Sequence, residues 1–235
     1  MLPPASVPSP PRPKASAILS DADLFPKEER NRVRRIPNRA HYDTATIYPI
    51  IDEALICHVS FVDEGRPFII PMLHARDGDT ILLHGARASR LLKHVAAGGE
   101  VAIAVTQLDG LVVARSAFNS SANYRSAVLF GRGEPIEANV EKMAAFALLT
   151  ERLIPGRWAE VRPTTQKELD ATTVVAVTIE LATAKVRSGP PGDDEEDYAL
   201  PIWAGVLPLA TAVGAPEDDP KLAPGIAQPP SVTGY

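Results

Sequence analysis

From residue 55 onward the chain is cut into short runs of Val, Ile, Leu and Phe by acidic, glycine-containing turns, and this spacing restricts its fold more than any other feature. Runs at 55–62, 66–75 and 80–84 are separated by Asp63-Glu64-Gly65 and Asp77-Gly78-Asp79, which predicts three consecutive antiparallel strands. Asp77-Gly78 matches a tight type I′ connection, whose two central residues need positive φ. Further strands are expected at 101–108, 111–116, 124–136 and 172–186, with Asp109-Gly110 as another hairpin turn. Three amphipathic helices interrupt them. The first, at 43–54, is capped by Asp43 or Thr44 and carries Ile47, Ile50, Ile51 and Leu55. The second, at 88–97, has Leu91, Leu92 and Val95 on one face. The third, at 139–154, is capped by Asn139, with Val140, Met143, Ala144, Ala147 and Leu148 inward. Strands joined mainly by hairpins, with few helices, predict a mainly β protein: an antiparallel barrel of about six strands with peripheral helices. Closure also removes exposed edges.

A chain of 235 residues supports one sizeable core. Its Pro-rich ends, 1–17 and 214–235, bury too little apolar surface to offset ordering entropy, so they read as disordered tails around a domain at 18–213. A net charge of −5 supplies no field attractive to nucleic acid, so any anionic ligand must be held by a local cluster. The single cysteine, Cys57, lies in an apolar run and reads as a buried, inert thiol. A lone Cys and an N-terminus without an apolar signal core predict a cytoplasmic protein, and no run approaches a membrane span.

Two segments carry chemistry. His84-Gly85-Ala86-Arg87-Ala88-Ser89-Arg90 leaves a strand at a glycine and enters a helix. There the Ser89 hydroxyl, Arg87 and Arg90 can converge on a phosphate, the alternative being a capped helix with solvated basic residues. Residues 115–126 are polar between two apolar strands, and their Ser, Asn and Arg side chains suit a heteroaromatic ring, a ribityl chain or a phosphate. A solvated connector is the alternative. His58 reads as a core or interface histidine, whereas His74 and His84 sit at strand ends beside the expected pocket. The acidic run 193–197 reads as a solvated loop. No spacing reads as a metal site, and no GxGxxG, P-loop or GxSxG motif occurs.

Ordered motifs across residues 35–209 resemble the flavin-nucleotide-binding branch of the pyridoxamine 5′-phosphate oxidase-related family, which includes relatives of nitroimidazole-resistance reductases. They are Arg39, Pro71-Met72-Leu73-His74, His84-Gly85-Ala86 with Ser89-Arg90, Arg115-Ser116-Ala117-Phe118, Asn123-Tyr124-Arg125-Ser126 with Phe130-Gly131, and Trp203-Ala204-Gly205-Val206-Leu207-Pro208-Leu209. The resemblance implies an FMN-binding split barrel working as a homodimer, with FMN at the subunit interface. The phosphate is expected near Ser89 and Arg90, with His84 beside it. The flavin edge is expected near Pro71, Met72, Asn123, Tyr124, Arg125 and Ser126, and Trp203 close to the cleft. This implies an oxidoreductase passing electrons from a reduced nicotinamide or small substrate to oxygen or a small organic acceptor. A non-catalytic flavin sensor or store, and a haem-binding split barrel using His74 or His84, are the alternatives. The chain departs from the family pattern at Asn119 and Ser120, where relatives tend to carry a histidine pair, and no catalytic residue is assigned.

Overall fold

A computed structural model of the protein describes residues 23–235; the N-terminal stretch expected as a tail, 1–17, lies outside the described residues. The elements are β1 (Ala40–His41), α1 (Thr44–Glu53), β2 (Ile56–Asp63), β3 (Arg66–Leu73), β4 (Ala75–Asp77), β5 (Thr80–Ala86), α2 (Arg90–Ala96), β6 (Glu100–Val113), β7 (Ser121–Pro135), α3 (Asn139–Leu153), α4 (Gln166–Ala171), β8 (Thr172–Arg187), β9 (Gly205–Pro208) and α5 (Pro230–Thr233). The strands form one antiparallel sheet in the order β3-β2-β6-β7-β8-β5-β4, with β1 added to β8 and β9 to β6. Seven strands on the main path and two additions replace the expected six.

The sheet's two terminal strands, β3 and β4, are separated in sequence by one residue, His74. Laid flat, seven strands would span roughly 29 Å at about 4.8 Å per neighbour. Across one residue the chain reaches only about 7 Å. The sheet therefore curls until its ends meet, and it does so without pairing β3 to β5, which makes it a split barrel. The expected meander of three strands is corrected here: β3 pairs with β2, whereas β5 crosses to β8.

Alternation fills the barrel. Cys57, Val59 and Phe61 of β2, Ile81 and Leu83 of β5, and Val101, Ile103 and Val105 of β6 point inward onto α1 and α2. Burial pushes the Cys57 thiol up to about 12, so it is an inert hydrophobe. Asp43 caps α1, its carboxylate accepting from the Thr46 amide at 2.8 Å. The far end of α1 is buried, and side chains satisfy its last carbonyls: His74 Nε2 lies 3.1 Å from Ile51 O, Gln107 Nε2 3.0 Å from Ile50 O and Arg152 Nη2 3.2 Å from Ala54 O.

Three local expectations are revised. The β4–β5 loop is Gly78-Asp79 with only Gly78 at positive φ (55°), the pattern of a II′ turn, while Glu64 (49°) and Gly65 (74°) form the I′-like turn between β2 and β3. Asp109-Gly110 is a bulge inside continuous β6, and residues 114–120 make the turn to β7. A glycine is needed there because a Cβ on residue 110 would lie 3.0 Å from Val206 Cγ1 and 3.1 Å from Leu207 O of β9. On α3, Ala138 is the N-cap and Asn139 the first helical residue. Its buried face is Ala145 and Leu149, whereas Val140 is 82% exposed, because α3 packs on the outer face of β5 and β8 and sees only part of its apolar stripe covered. The stretch 214–235 has no helix or strand before α5, where Ser231 N donates to Glu160 at 3.1 Å.

Close backbone approach at the second bulge generates a test. A Cβ on Gly131 would lie 1.8 Å from the carbonyl oxygen of Thr178, in a paired strand that cannot yield. Gly131→Ala is expected to lower the unfolding free energy by about 3 kcal/mol or more in urea titration. Gly192→Ala, facing open space, is expected to stay within about 0.5 kcal/mol of the parent.

Candidate functional site

The residues singled out from the sequence fall into separate places on one chain. Ser89 is the N-cap of α2, its Oγ accepting from the Leu92 amide at 3.4 Å. Arg90 stands over the Phe68 ring at 4.5 Å and 3.5 Å from the Asp63 carboxylate, with both side chains substantially exposed. Arg87 donates to the carbonyl of Asp170 at 3.2 Å. Of these cations Arg90 has the weaker commitment, since an exposed pair at that distance exchanges readily for another anion.

The segment Asn123-Tyr124-Arg125-Ser126 opens β7 at the opposite end of the barrel. Asn123 is buried; its amide donates to Gly189 O at 3.1 Å and its oxygen accepts from Arg187. Tyr124 stands opposite Arg187 in the β7–β8 register. Ser126 Oγ lies 3.3 Å from Lys185 O. Arg125 is held by Glu53 (2.8 Å) and Asp109 (2.8 Å), and these two carboxylates raise its pKa further, so its donors are already taken within the chain. Residue 109 reaches it because the bulge re-aims that side chain.

Helix α2 meets β7 near Gly133, where a Cβ would lie 2.5 Å from Val95. From there to Arg125 is roughly 25 Å of strand at about 3.3 Å per residue. Within a single chain the Ser89–Arg90 and Asn123–Ser126 groups are therefore not brought together. Pro71 and Met72 divide likewise: Met72 packs against the interior, while Pro71, opposite exposed His58, faces outward. Trp203 is 64% exposed and leads into β9. Asp193, expected in a solvated loop, has a side chain that is fully buried and ion-paired with Arg115 at 2.8 Å; Asn119 donates to Asp194 at 3.4 Å.

His84 and His74, both placed beside one pocket by the sequence, lie on opposite faces of the sheet. His74 is 3% exposed and serves the end of α1. His84 points outward from β5 into a cavity of about 520 Å³ at the split, where Leu73 of β3 forms one wall and α3 the roof. Phe146 meets the imidazole edge-on at 6.2 Å, and Trp158, Leu149, Arg157 and Arg162 line the remainder. Neither ring nitrogen of His84 has a hydrogen-bond partner among the described residues, and Nδ1 is fully buried. Burial holds its pKa below the usual histidine range, so the ring is neutral at pH 7. The sequence signalled His84 but not its surroundings, because Trp158 and the outer face of α3 become neighbours only through the packing of α3 on the sheet.

No helix among the described residues is long and apolar enough to cross a membrane. Among them, no cluster of three or more His, Cys, Asp or Glu can hold a metal ion.

Residues 43–186 match the family model described as pyridoxamine 5′-phosphate oxidase. Among solved structures, the flavocytochrome Anf3 from Azotobacter vinelandii is 40% identical, with a TM-score of 0.83 over 88% of this chain and 97% of that one. The FAD and heme binding protein from Mycobacterium smegmatis is 42% identical, with a TM-score of 0.80 over 83% of this chain and 96% of that one. A candidate 5-nitroimidazole antibiotic resistance protein from Bacteroides thetaiotaomicron, 24% identical with a TM-score of 0.53 over 63% of this chain and 86% of that one, shares the fold. No curated protein matches significantly. With the family model covering more than half of its length, and a split barrel carrying the Ser89-Arg90 and Asn123 to Ser126 motifs, the chain belongs to the pyridoxamine 5′-phosphate oxidase family.

Proposed function

We propose that this protein is a flavin-dependent redox protein whose second cofactor pocket, at the split of the barrel, takes haem. The observation that carries the reading is His84: a half-buried, neutral imidazole with no hydrogen-bond partner among the described residues, its Nδ1 fully buried, facing a cavity of about 520 Å³ whose lining includes Leu73, Phe146, Leu149 and Trp158. A buried polar ring without a partner is costly, and a metal ion on an imidazole nitrogen removes that cost. The cavity volume lies in the range of cofactor sites. Arg157 and Arg162 line it and are the cations available to face the carboxylates of a porphyrin. Both are engaged by Glu160 and Glu168 at the surface and can exchange partners in water. The two solved structures at 40% and 42% identity, one a flavocytochrome and one named for FAD and heme, support a chain with both cofactors.

The flavin reading rests on the ordered motifs. FMN, or the FMN half of a larger flavin, lies across two protomers. One supplies Ser89 and Arg90 to the phosphate; the other brings Pro71 and the Asn123 to Ser126 segment to the ring. A two-fold dimer supplies both halves of a site whose two groups stand toward opposite ends of β7 in one chain. Exposed Trp203, Leu207 and Leu209, beside the equally exposed Leu111, supply apolar surface for that contact. The cofactors, when bound, supply electron transfer from a reduced nicotinamide or small substrate toward oxygen or a small acceptor. The protein holds and orients them and excludes water from the His84 pocket.

Four outcomes are expected. Arg90→Ala weakens FMN binding roughly ten- to hundredfold in flavin titration, the worth of a charge-assisted hydrogen bond to phosphate. Trp203→Ala weakens flavin binding and subunit association together in titration and sedimentation equilibrium; a variant unchanged in both ends its interface role. Haemin added to the full chain gives a Soret band that His84→Ala abolishes and that persists in His74→Gln. Because the folded-state pKa of His84 is depressed, the unfolded chain binds the extra proton first. Stability is thus full above about pH 6.5 and falls as pH drops below that value, and denaturant titrations of His84→Gln show a shallower fall.

A further inference from the structure

We propose that Arg39 and Arg187 form a second anion subsite, which takes a phosphate or diphosphate group. The inference rests on the flavin reading for the identity of its first ligand, and on the following geometry for the site itself. Arg187 is only 9% exposed, yet no carboxylate pairs with it among the described residues. Its partners are neutral: Asn123 Oδ1, Gly189 O at 3.4 Å and Pro190 O at 3.3 Å. Arg115 and Arg76, each less buried than Arg187, have acids: Asp193 and Asp52. A buried guanidinium without a counter-charge is the arrangement that folding alone avoids.

A second cation is placed beside it. The guanidinium of Arg39 has no hydrogen bond or ion pair among the described residues, and because Ala40 pairs with Lys185 the backbone of Arg39 lies beside the end of β8 that carries Arg187, whose pKa burial and then the Arg39 charge depress. The backbone is strained to put it there. Ile36, a β-branched residue, occupies the left-handed region (φ 55°, ψ 63°) and starts the 3-10 turn Pro37–Arg39, which leads into β1 on the edge of β8. Strain of this kind persists where the surrounding structure enforces it, and it collects at ligand clamps. Lys185 Nζ donates to Arg35 O at 3.1 Å and fixes the same turn. Two adjacent forks of fixed charge match a phosphoryl dianion or a diphosphate better than a single carboxylate.

The group has two possible sources. One is the diphosphate of a dinucleotide flavin, the other a phosphorylated second ligand such as a reduced nicotinamide dinucleotide. Arg39 is the residue to change, since it is half-exposed and its side chain has no partner to lose; Arg187→Lys, which keeps the charge and removes the fork, is the companion variant. FMN, FAD, NADH and inorganic pyrophosphate are titrated against the deflavinated full chain, and dimerisation is followed by sedimentation. In Arg39→Gln, FAD affinity is expected to fall tenfold or more while FMN stays within about twofold. A tenfold fall for NADH or pyrophosphate with both flavins unchanged assigns the subsite to a second ligand and also supports it. Equal falls for FMN and FAD place the single flavin phosphate here; the subsite stands and Ser89–Arg90 loses its role, which Arg90→Ala reads separately. Unchanged affinity for all four ligands overturns the proposal. So does a weakened dimer with all four unchanged, which would give the cluster to a carboxylate of the second copy.

Discussion

The fold turns on a link of one residue. His74 joins the strand at one end of the sheet to the strand at the other, so the sheet has to close on itself whatever its other contacts prefer. The same side chain then reaches inward to Ile51 O at the buried end of α1. One residue therefore serves both the closure of the barrel and the end of α1. Burial lowers the pKa of His74, so this seam is held by a neutral ring and needs no counter-charge. Because β3 and β5 meet through the chain and not through a hydrogen-bonded ladder, a gap remains between them, and the His84 cavity lies in that gap.

Charge is distributed around this frame with a consistent logic. Arg76 is locked to Asp52 at 2.5 Å and stacked on Tyr48, whose hydroxyl is pushed upward by burial and by Asp79. Arg125 is shared between Glu53 and Asp109, and Arg115 is matched by the buried Asp193. These pairs fix elements to one another: α1 to β4, α1 to β6 and β7, and the 188–194 loop to the β6–β7 turn. Arg187 and Arg39 stand outside the scheme. Among the described residues neither has a carboxylate partner, and Arg187 is the more deeply buried of the two.

Local chemistry made much of the fold legible in advance. The apolar runs 55–62 and 101–108 were legible as strands, Asp43 and Ser89 were recognisable at helix starts, and Gly65 and Gly78 marked turns. What escaped was decided by neighbours distant in sequence. Asp109-Gly110 has turn chemistry, yet β9 arrives from residues 205–208 and continues the ladder past it. Val140 looked inward by period, yet β5 and β8 cover only the stripe through Ala145 and Leu149. The site divides in the same way. The motif residues could be picked out along the chain, but their separation along β7, the saturation of Arg125 and the neutral partners of Arg187 depend on residues no local window contains.

The addition of β9 to β6 has a consequence for biosynthesis. Beyond Ala104 one side of β6 lacks β2, and its amides and carbonyls at Gly110–Val113 are covered only by Gly205–Pro208. Chains fold from the N-terminus as they emerge, so this half of β6 remains an open ladder while nearly a hundred further residues are made. Through that interval exposed Leu108 and Leu111 border a free strand edge, the arrangement most prone to pairing with a neighbouring nascent chain. The last strand of the domain thus acts as its closing seam, and the interval before it docks is when the protein is most exposed to aggregation.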